Sequence, residues 1–240
     1  MKTLRSLFIM LLFSAIANEL SAHAVWIETA AHGKIGQSQE VKVYFGEYGQ
    51  DERDKVEKWY SDLKDLTLWL VGPDGTKTQL PTTIGENVSQ ASFTPQKDGI
   101  YSLQISHKSK DLHEGTQYEF LASSHVFVGK TTNQIDPASS NHELQVFPLE
   151  GTAWKTGAAV KVQVLHQKNA KSGSTVQVFS PSGWSRELTT AEDGTISFVP
   201  LWPGKYVLEA SNFSKDPGEA NGNQYKALWQ GSTYSFEVKK

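Results

Sequence analysis

The sequence predicts an all-β protein made of two tandem β-sandwich domains, and three observations support this fold class. Short runs of alternating polar and apolar residues, rich in β-branched and aromatic side chains, are typical of strands with one buried face. Turn motifs such as Gly-Pro-Asp-Gly at residues 72–75 separate these runs at the spacing expected of an immunoglobulin-like sandwich. The pattern of the first half of the chain also returns in the second half.

The internal repeat defines two similar units. Residues 66–75 and residues 174–183 are both alternating strands that run into a Pro-x-Gly turn. Further along, residues 92–107 and 197–212 carry the same four residue types in step. These are Phe93, Pro95, Gly99 and Tyr101 in the first half, and Phe198, Pro200, Gly204 and Tyr206 in the second. Such self-similarity predicts that one supersecondary unit occurs twice.

The first 22 residues have the order of charge, apolar run and small residues that a secretory signal peptide shows. Lys2 and Arg5 precede an apolar run over residues 7–17, and Ser21 and Ala22 follow it. Cleavage after Ala22 would make His23 the first residue of the mature chain. The alternative cut after Ala24, at an Ala-x-Ala site, would remove His23. In either case we expect an exported protein, which in a Gram-negative cell is periplasmic.

The remaining chain divides into a first sandwich at residues 23–130, a polar linker at 131–143 and a second sandwich at 144–240. One segment of the first sandwich has a different pattern. Residues 50–66 are charged and place apolar side chains at spacings of three and four, which predicts a short amphipathic helix inserted into the domain. The apolar positions are Val56, Trp59, Tyr60 and Leu63.

Composition argues against several classes of function. The chain has 240 residues, a formal charge of −3 and no cysteine, so we expect neither a basic surface for nucleic acid nor a thiolate site or disulfide. After the signal peptide, no apolar run approaches the ~20 residues of a membrane helix, so we expect no membrane segment in the mature chain. The sequence also lacks a Gly-x-Ser-x-Gly elbow and a His-Glu-x-x-His pair, so we expect a protein that is not an enzyme.

His23 is the strongest candidate for a metal ligand. At a mature N-terminus its α-amine and a ring nitrogen could bind one ion together, and imidazole suits copper, nickel, cobalt and zinc. Further imidazoles or a carboxylate would complete the site, and the candidates are His107, His125 and Glu47 near strand ends. Each of them could instead have a purely structural role. The remaining histidines, which are His32, His113, His142 and His166, are expected at the surface.

Several motifs resemble the exported family catalogued as domain of unknown function 4198. They are the Ala-His start followed by Val-Trp-Ile-Glu, then Phe45-Gly46-Glu47, and in the second half Asp193-Gly194 and Pro203-Gly204-x-Tyr206. The resemblance covers nearly the whole mature chain and extends by position to His23, Trp26 and Glu28. It implies a transthyretin-like second domain, as in carboxypeptidase regulatory modules. It also implies periplasmic handling of a transition metal, similar to nickel-uptake accessory proteins.

This chain departs from the family pattern in two places. Asn212 stands where related second domains often have histidine, and no membrane segment like that of nickel-transporter versions is present. A metal-uptake permease or an outer-membrane receptor would therefore be a separate partner. We expect a non-catalytic protein that binds or delivers nickel, cobalt, copper or zinc. The alternatives are a structural or adhesive tandem module without metal and, because an N-terminal histidine on a β-sandwich resembles copper monooxygenases, a copper-dependent oxidative enzyme.

Overall fold

The computed structural model describes residues 23–131, 134–150 and 153–240, and these fold almost entirely into β-strands. The predicted signal peptide, residues 1–22, lies outside the described residues. None of the described residues forms a helix long and apolar enough to cross a membrane. The all-β fold class is confirmed.

The strands of the first half are numbered here in chain order. They are β1 (Ala24–Thr29), β2 (His32–Gly33), β3 (Gln39–Gly46), β4 (Leu68–Val71), β5 (Lys77–Leu80), β6 (Thr83–Ile84), β7 (Ser89–Phe93), β8 (Gly99–Lys108) and β9 (Thr116–Val128).

The strands of the second half continue the numbering. They are β10 (Leu144–Pro148), β11 (Trp154–Lys155), β12 (Val160–His166), β13 (Asn169–Ala170), β14 (Thr175–Phe179), β15 (Ser185–Thr189), β16 (Thr195–Phe198), β17 (Gly204–Ser214), β18 (Gly218–Ala220), β19 (Asn223–Tyr225) and β20 (Ala227–Lys239).

The two halves repeat the same strand pairing. In the first half β3 pairs with β1 and β7, and in the second half β12 pairs with β10 and β16. The other layer runs β5-β4-β8-β9 in the first half and β15-β14-β17-β20 in the second. Even the two-residue strands correspond, since β2 pairs in parallel with β9 and β11 in parallel with β20. The internal repeat of the sequence therefore reflects a repeat of the topology.

The repeated tyrosine has the same role in both halves. Tyr101 donates a hydrogen bond to the carbonyl of Lys97, and Tyr206 donates one to the carbonyl of Trp202, each at 3.1 Å. In both cases the hydroxyl ties the start of a long strand to the turn four residues before it. This arrangement resembles the tyrosine corner of immunoglobulin-like sandwiches.

One continuous sheet joins the halves, because β9 and β20 pair in parallel from Thr116 with Ala227 to Ser124 with Ser235. Two hydrophobic cores lie on opposite faces of this sheet. On β9, Phe120 and Val126 belong to the first core, whereas Leu121 and Phe127 belong to the second. The domain boundaries predicted from the sequence remain a prediction, because strands from both halves belong to one sheet.

Residues 50–66 fold differently from the expected amphipathic helix. The segment from Glu47 to Leu66 contains three single-turn 3-10 helices, which are Tyr48–Gln50, Val56–Lys58 and Leu63–Asp65. The apolar side chains still face inward, and Val56, Trp59 and Leu63 are buried in the first core. The helical spacing thus marked a buried face, but the backbone follows separate 3-10 turns instead of one continuous α-helix.

The linker packs against the first half, which corrects the expectation for His142. Gln104 on β8 donates a hydrogen bond to the carbonyl of Ser139 at 2.8 Å, and Ile135 is buried. His142 is 7% exposed, so its predicted surface position is wrong. Burial, followed by the nearby charge of Lys77, lowers the pKa of His142 to about 4. A linker that covers a sheet face can bury a polar residue that the sequence places in a loop.

Ion pairs also hold the halves together. Lys205 on β17 donates to a carboxylate oxygen of Glu28 on β1 at 2.7 Å, and Arg53 lies 3.4 Å from the other oxygen. The Tyr48 hydroxyl donates to the carbonyl of Lys205. Burial is the largest single influence and would raise the pKa of Glu28, but the hydrogen bonds from Lys205 and Trp26 and the charges of Lys205 and Arg53 together outweigh it, so the pKa is lowered. Glu28 is therefore a charged anchor between the halves.

We expect Lys205→Ala to destabilise the protein by about 1 to 3 kcal/mol, because it leaves a mostly buried carboxylate without its closest cation. Urea unfolding at pH 7 measures this. Lys161→Ala is the matched control, since its pair with Asp193 spans 3.7 Å between exposed side chains and should contribute at most about 1 kcal/mol. Equal effects of the two substitutions would contradict an anchoring role for Lys205.

We also expect stability to fall on mild acidification. The pKa of buried His125 is lowered to about 3 and that of His142 to about 4, so the folded state keeps both rings neutral where the unfolded state takes up protons. Stability is then lost as pH falls below about 6.5, by about 1 kcal/mol per histidine between pH 6.5 and 5.5. Urea unfolding of His142→Gln should show a pH dependence smaller by that amount, whatever its absolute stability. An unchanged slope would refute the assignment.

Candidate metal centre

His23 lies at the start of the first strand, between two carboxylates. Its Nδ1 is 3.6 Å from a carboxylate oxygen of Glu47, and its Nε2 is 3.5 Å from one of Asp54. The His23 side chain is 38% exposed, whereas those of Glu47 and Asp54 are 12% and 21% exposed. The ring is therefore open to solvent on one side and flanked by oxygen ligands at both nitrogens.

Backbone pairing positions these three side chains. Ala24 pairs with Gly46, which places His23 beside Glu47 at the end of β3. The chain then turns back, and Asp54 N donates to the carbonyl of Phe45 at 2.9 Å. Gly46 has a φ of 145°, and a side chain there would collide with the carbonyl oxygen of Glu52. The Phe-Gly-Glu motif thus permits the turn that brings Asp54 to the histidine.

A third carboxyl group comes from the second half. Glu209 on β17 is partly buried and lies next to Thr233, whose hydroxyl donates to the carbonyl of Val25 at 2.7 Å. Burial, followed by the negative charge of Glu47, raises the pKa of Glu209 to about 7. Within the described part of the chain its carboxyl group has no hydrogen-bond or ion-pair partner. The His23 site therefore borders the second half of the molecule.

Sequence reasoning did not identify Asp54 or Glu209. Asp54 falls in the segment that was expected to be helical, and Glu209 occupies an alternating strand position that resembles any solvent-facing site. A charged residue between Leu208 and Ala210 was the only sequence signal, and it does not distinguish an open face from one covered by another layer.

The other two predicted histidines lie elsewhere, each with a local partner. His107 Nε2 is 2.9 Å from a carboxylate oxygen of Asp62. His125 is buried, and its Nδ1 is 3.0 Å from the hydroxyl of Tyr234. Of the four predicted ligands, the structure brings together His23 and Glu47, while His107 and His125 pack against other groups.

The described residues contain no group of three or more His, Cys, Asp or Glu side chains arranged to hold a metal ion. The reason at His23 is geometric. Glu47 and Asp54 face different ring nitrogens, and one ion cannot bind both nitrogens of the same ring. Side chains alone thus offer one ring nitrogen and one carboxylate on the Glu47 side, and a further ligand would have to come from the backbone terminus.

Two solved structures show a distant likeness to this chain. A structure described as "Putative membrane anchored protein" from Corynebacterium diphtheriae is 11% identical, with 91% of this chain and 59% of that chain covered and a TM-score of 0.29. A biofilm-associated protein BSP domain is 14% identical, with 87% and 29% covered and a TM-score of 0.23. These scores do not establish a shared fold.

Among curated proteins, the chain is similar to Protein LYRIC of Rattus norvegicus at 26% identity over 163 residues. The match covers 58% of this chain and 27% of LYRIC, so it spans about a quarter of that relative. A family model matches residues 20–213, which is most of the chain and includes His23, Glu47, Asp54 and Glu209. The chain therefore belongs to the family described as Domain of unknown function (DUF4198).

Proposed function

We propose that this protein is exported to the periplasm and binds one transition-metal ion at its processed N-terminus. The observation that carries the proposal is the position of the His23 ring between the carboxylates of Glu47 and Asp54. Cleavage after Ala22 would free the α-amine of His23 at this site. Amine, imidazole and carboxylate together form a donor set suited to nickel, cobalt, copper or zinc.

The Glu47 side of the ring would hold the ion. The α-amine and Nδ1 of a terminal histidine can close a chelate ring on one metal. Nδ1 and the Glu47 oxygen are 3.6 Å apart, which two ligands each about 2.1 Å from a shared ion reach at an angle of about 120°. Little movement of either side chain is therefore needed for the α-amine, Nδ1 and the Glu47 oxygen to bind one ion together.

Asp54 would orient the ring. When Nδ1 binds the metal, Nε2 carries the ring proton and faces Asp54 at 3.5 Å. A carboxylate behind a ligating imidazole fixes its tautomer and makes it a stronger ligand. Asp54 is thus a positioning residue, and Glu47 is the ligand.

Uncompensated negative charge also favours a cation at this point. Glu47 and Asp54 have no lysine or arginine partner within the described residues, and Arg53 nearby is paired with Glu28 and Asp51. An unpaired, partly buried carboxylate carries a free-energy cost of desolvation, and a bound divalent ion would offset that cost. A separate metal-uptake permease or an outer-membrane receptor would exchange the ion with this site, and the protein itself would catalyse no reaction.

We expect the mature protein to bind one equivalent of Ni(II), Co(II), Cu(II) or Zn(II) in calorimetric titration, after intact mass has shown a chain that begins at His23. His23→Ala should abolish binding, Glu47→Gln should weaken it by about 10- to 100-fold, and Asp54→Asn by about 10-fold. Glu52→Gln, an exposed neighbour in the same turn, should bind like the wild type.

Two results would overturn this proposal. One is a native mature chain that begins at Val25, and the other is a His23 chain that binds none of the four ions or binds them equally well after His23→Ala. Either would favour the alternative of a structural or adhesive module.

Acetylation of the N-terminal α-amine tests that donor separately. The acetyl group leaves both ring nitrogens and both carboxylates in place but converts the His23 amine into an amide and adds no new amine. We expect at least a tenfold loss of affinity in the same titration, because a chelating donor is removed. Unchanged affinity would show that the ring and Glu47 suffice, and the processed terminus would then have no role.

A further inference from the structure

A polar groove lies on the opposite face of the central sheet from His23. It encloses about 770 Å³ between β4, β8 and β9 on one side and, on the other, Lys130, Thr131 and residues from the range 134–141. This is the face of β8 that points away from the first core, since Tyr101, Leu103 and Ile105 point into that core. The linker covers only part of this face and leaves the groove open to solvent.

The floor of the groove consists of three buried polar side chains. Ser102, Gln104 and His125 are 3%, 4% and 7% exposed and all line the groove. Gln104 donates to Ser102 and to the carbonyl of Ser139, so its amide oxygen remains available as an acceptor. Buried polar groups normally have hydrogen-bond partners, and a ligand in the groove could supply the missing ones.

His125 presents a fixed nitrogen to the site. Burial lowers its pKa to about 3 and raises that of Tyr234, so both groups are neutral near pH 7. A phenol is the better donor of the two, and when Tyr234 donates to Nδ1 the ring proton lies on Nε2. The floor then offers a donor at His125 and at Ser102 and an acceptor at Gln104.

The rim is cationic. Lys77 and Lys130 both line the groove and are exposed, and neither has an ion pair within the described ranges. The Nζ of Lys77 lies 4.5 Å from the centre of the Trp69 ring, and this contact restricts the positions of the ammonium group. Asp136 is the acidic side chain among the lining residues, and it is already bonded to Ala138 N. The rim thus carries more positive than negative charge.

We propose that this groove binds a small hydroxylated organic carboxylate, with its acid groups held by Lys77 and Lys130 and its hydroxyls on the floor of Ser102, Gln104 and His125. The volume lies within the range of small-molecule sites. The two lysines supply positive charge for the acid groups, and the neutral side chains of the floor orient the hydroxyl groups of the ligand. This site is independent of metal binding at His23.

Calorimetric titration of the whole mature protein with citrate, malate and glucuronate at constant ionic strength tests the proposal, with uncharged glucose for comparison. We expect at least one carboxylate to bind with a dissociation constant below about 1 mM and glucose to bind at least tenfold more weakly. The double variant K77Q/K130Q should lose at least tenfold in affinity. Lys58→Gln, an exposed lysine outside the groove, should change nothing.

Ser102→Ala tests the floor with a small change that a folded protein tolerates, and it should weaken the same carboxylate by about threefold or more. In protein labelled with ¹⁵N-histidine, the ring signals of His125 should shift on binding, and those of exposed His113 should not. The proposal fails if none of the three carboxylates binds. It also fails if binding survives K77Q/K130Q unchanged.

Discussion

The parallel pairing of β9 with β20 is the interaction on which the rest of the structure depends. Each strand is the last of its half, and pairing them makes one sheet with a core on both faces. Both strands are buried at most positions, although each also carries buried polar side chains, such as Gln117 on β9 and Gln230 on β20. The same pairing places Thr233 against β1 and Glu209 near Glu47, so it also forms one side of the proposed metal site.

Local sequence signals predicted the elements but not their assembly. Alternation and turn residues identified the strands, and the repeated Tyr101 and Tyr206 identified equivalent positions, because these signals lie within a few residues. The pairing of the two halves could not be predicted, because alternation shows that one face of a strand is buried but not which element covers it. His142 illustrates this limit: it was expected at the surface and is buried.

The residues of the candidate site were predictable in part for the same reason. His23 was recognisable from its place after a cleavage motif, and Glu47 from the Phe-Gly turn before it. Asp54 reaches the ring only because the chain doubles back at Gly46, and Glu209 only because two distant strands pair. His107 and His125 were weaker candidates than His23 in sequence, and in the structure Asp62 and Tyr234 already occupy one nitrogen of each ring.

The proposed metal site, at a chain that would begin with His23, needs a terminus that does not fray. Ends are usually poorly ordered unless a strand ties them down, and here β1 pairs with β3 from Ala24 onward while Val25 accepts a hydrogen bond from Thr233. His23 is thus one residue away from fixed backbone, so little entropy remains to be lost on chelation. The surrounding carboxylates repel one another when the site is empty, and an ion that binds only the folded state stabilises that state in return. The fixed backbone at Ala24 and the unpaired carboxylates therefore both support the proposal that a metal cation binds at His23.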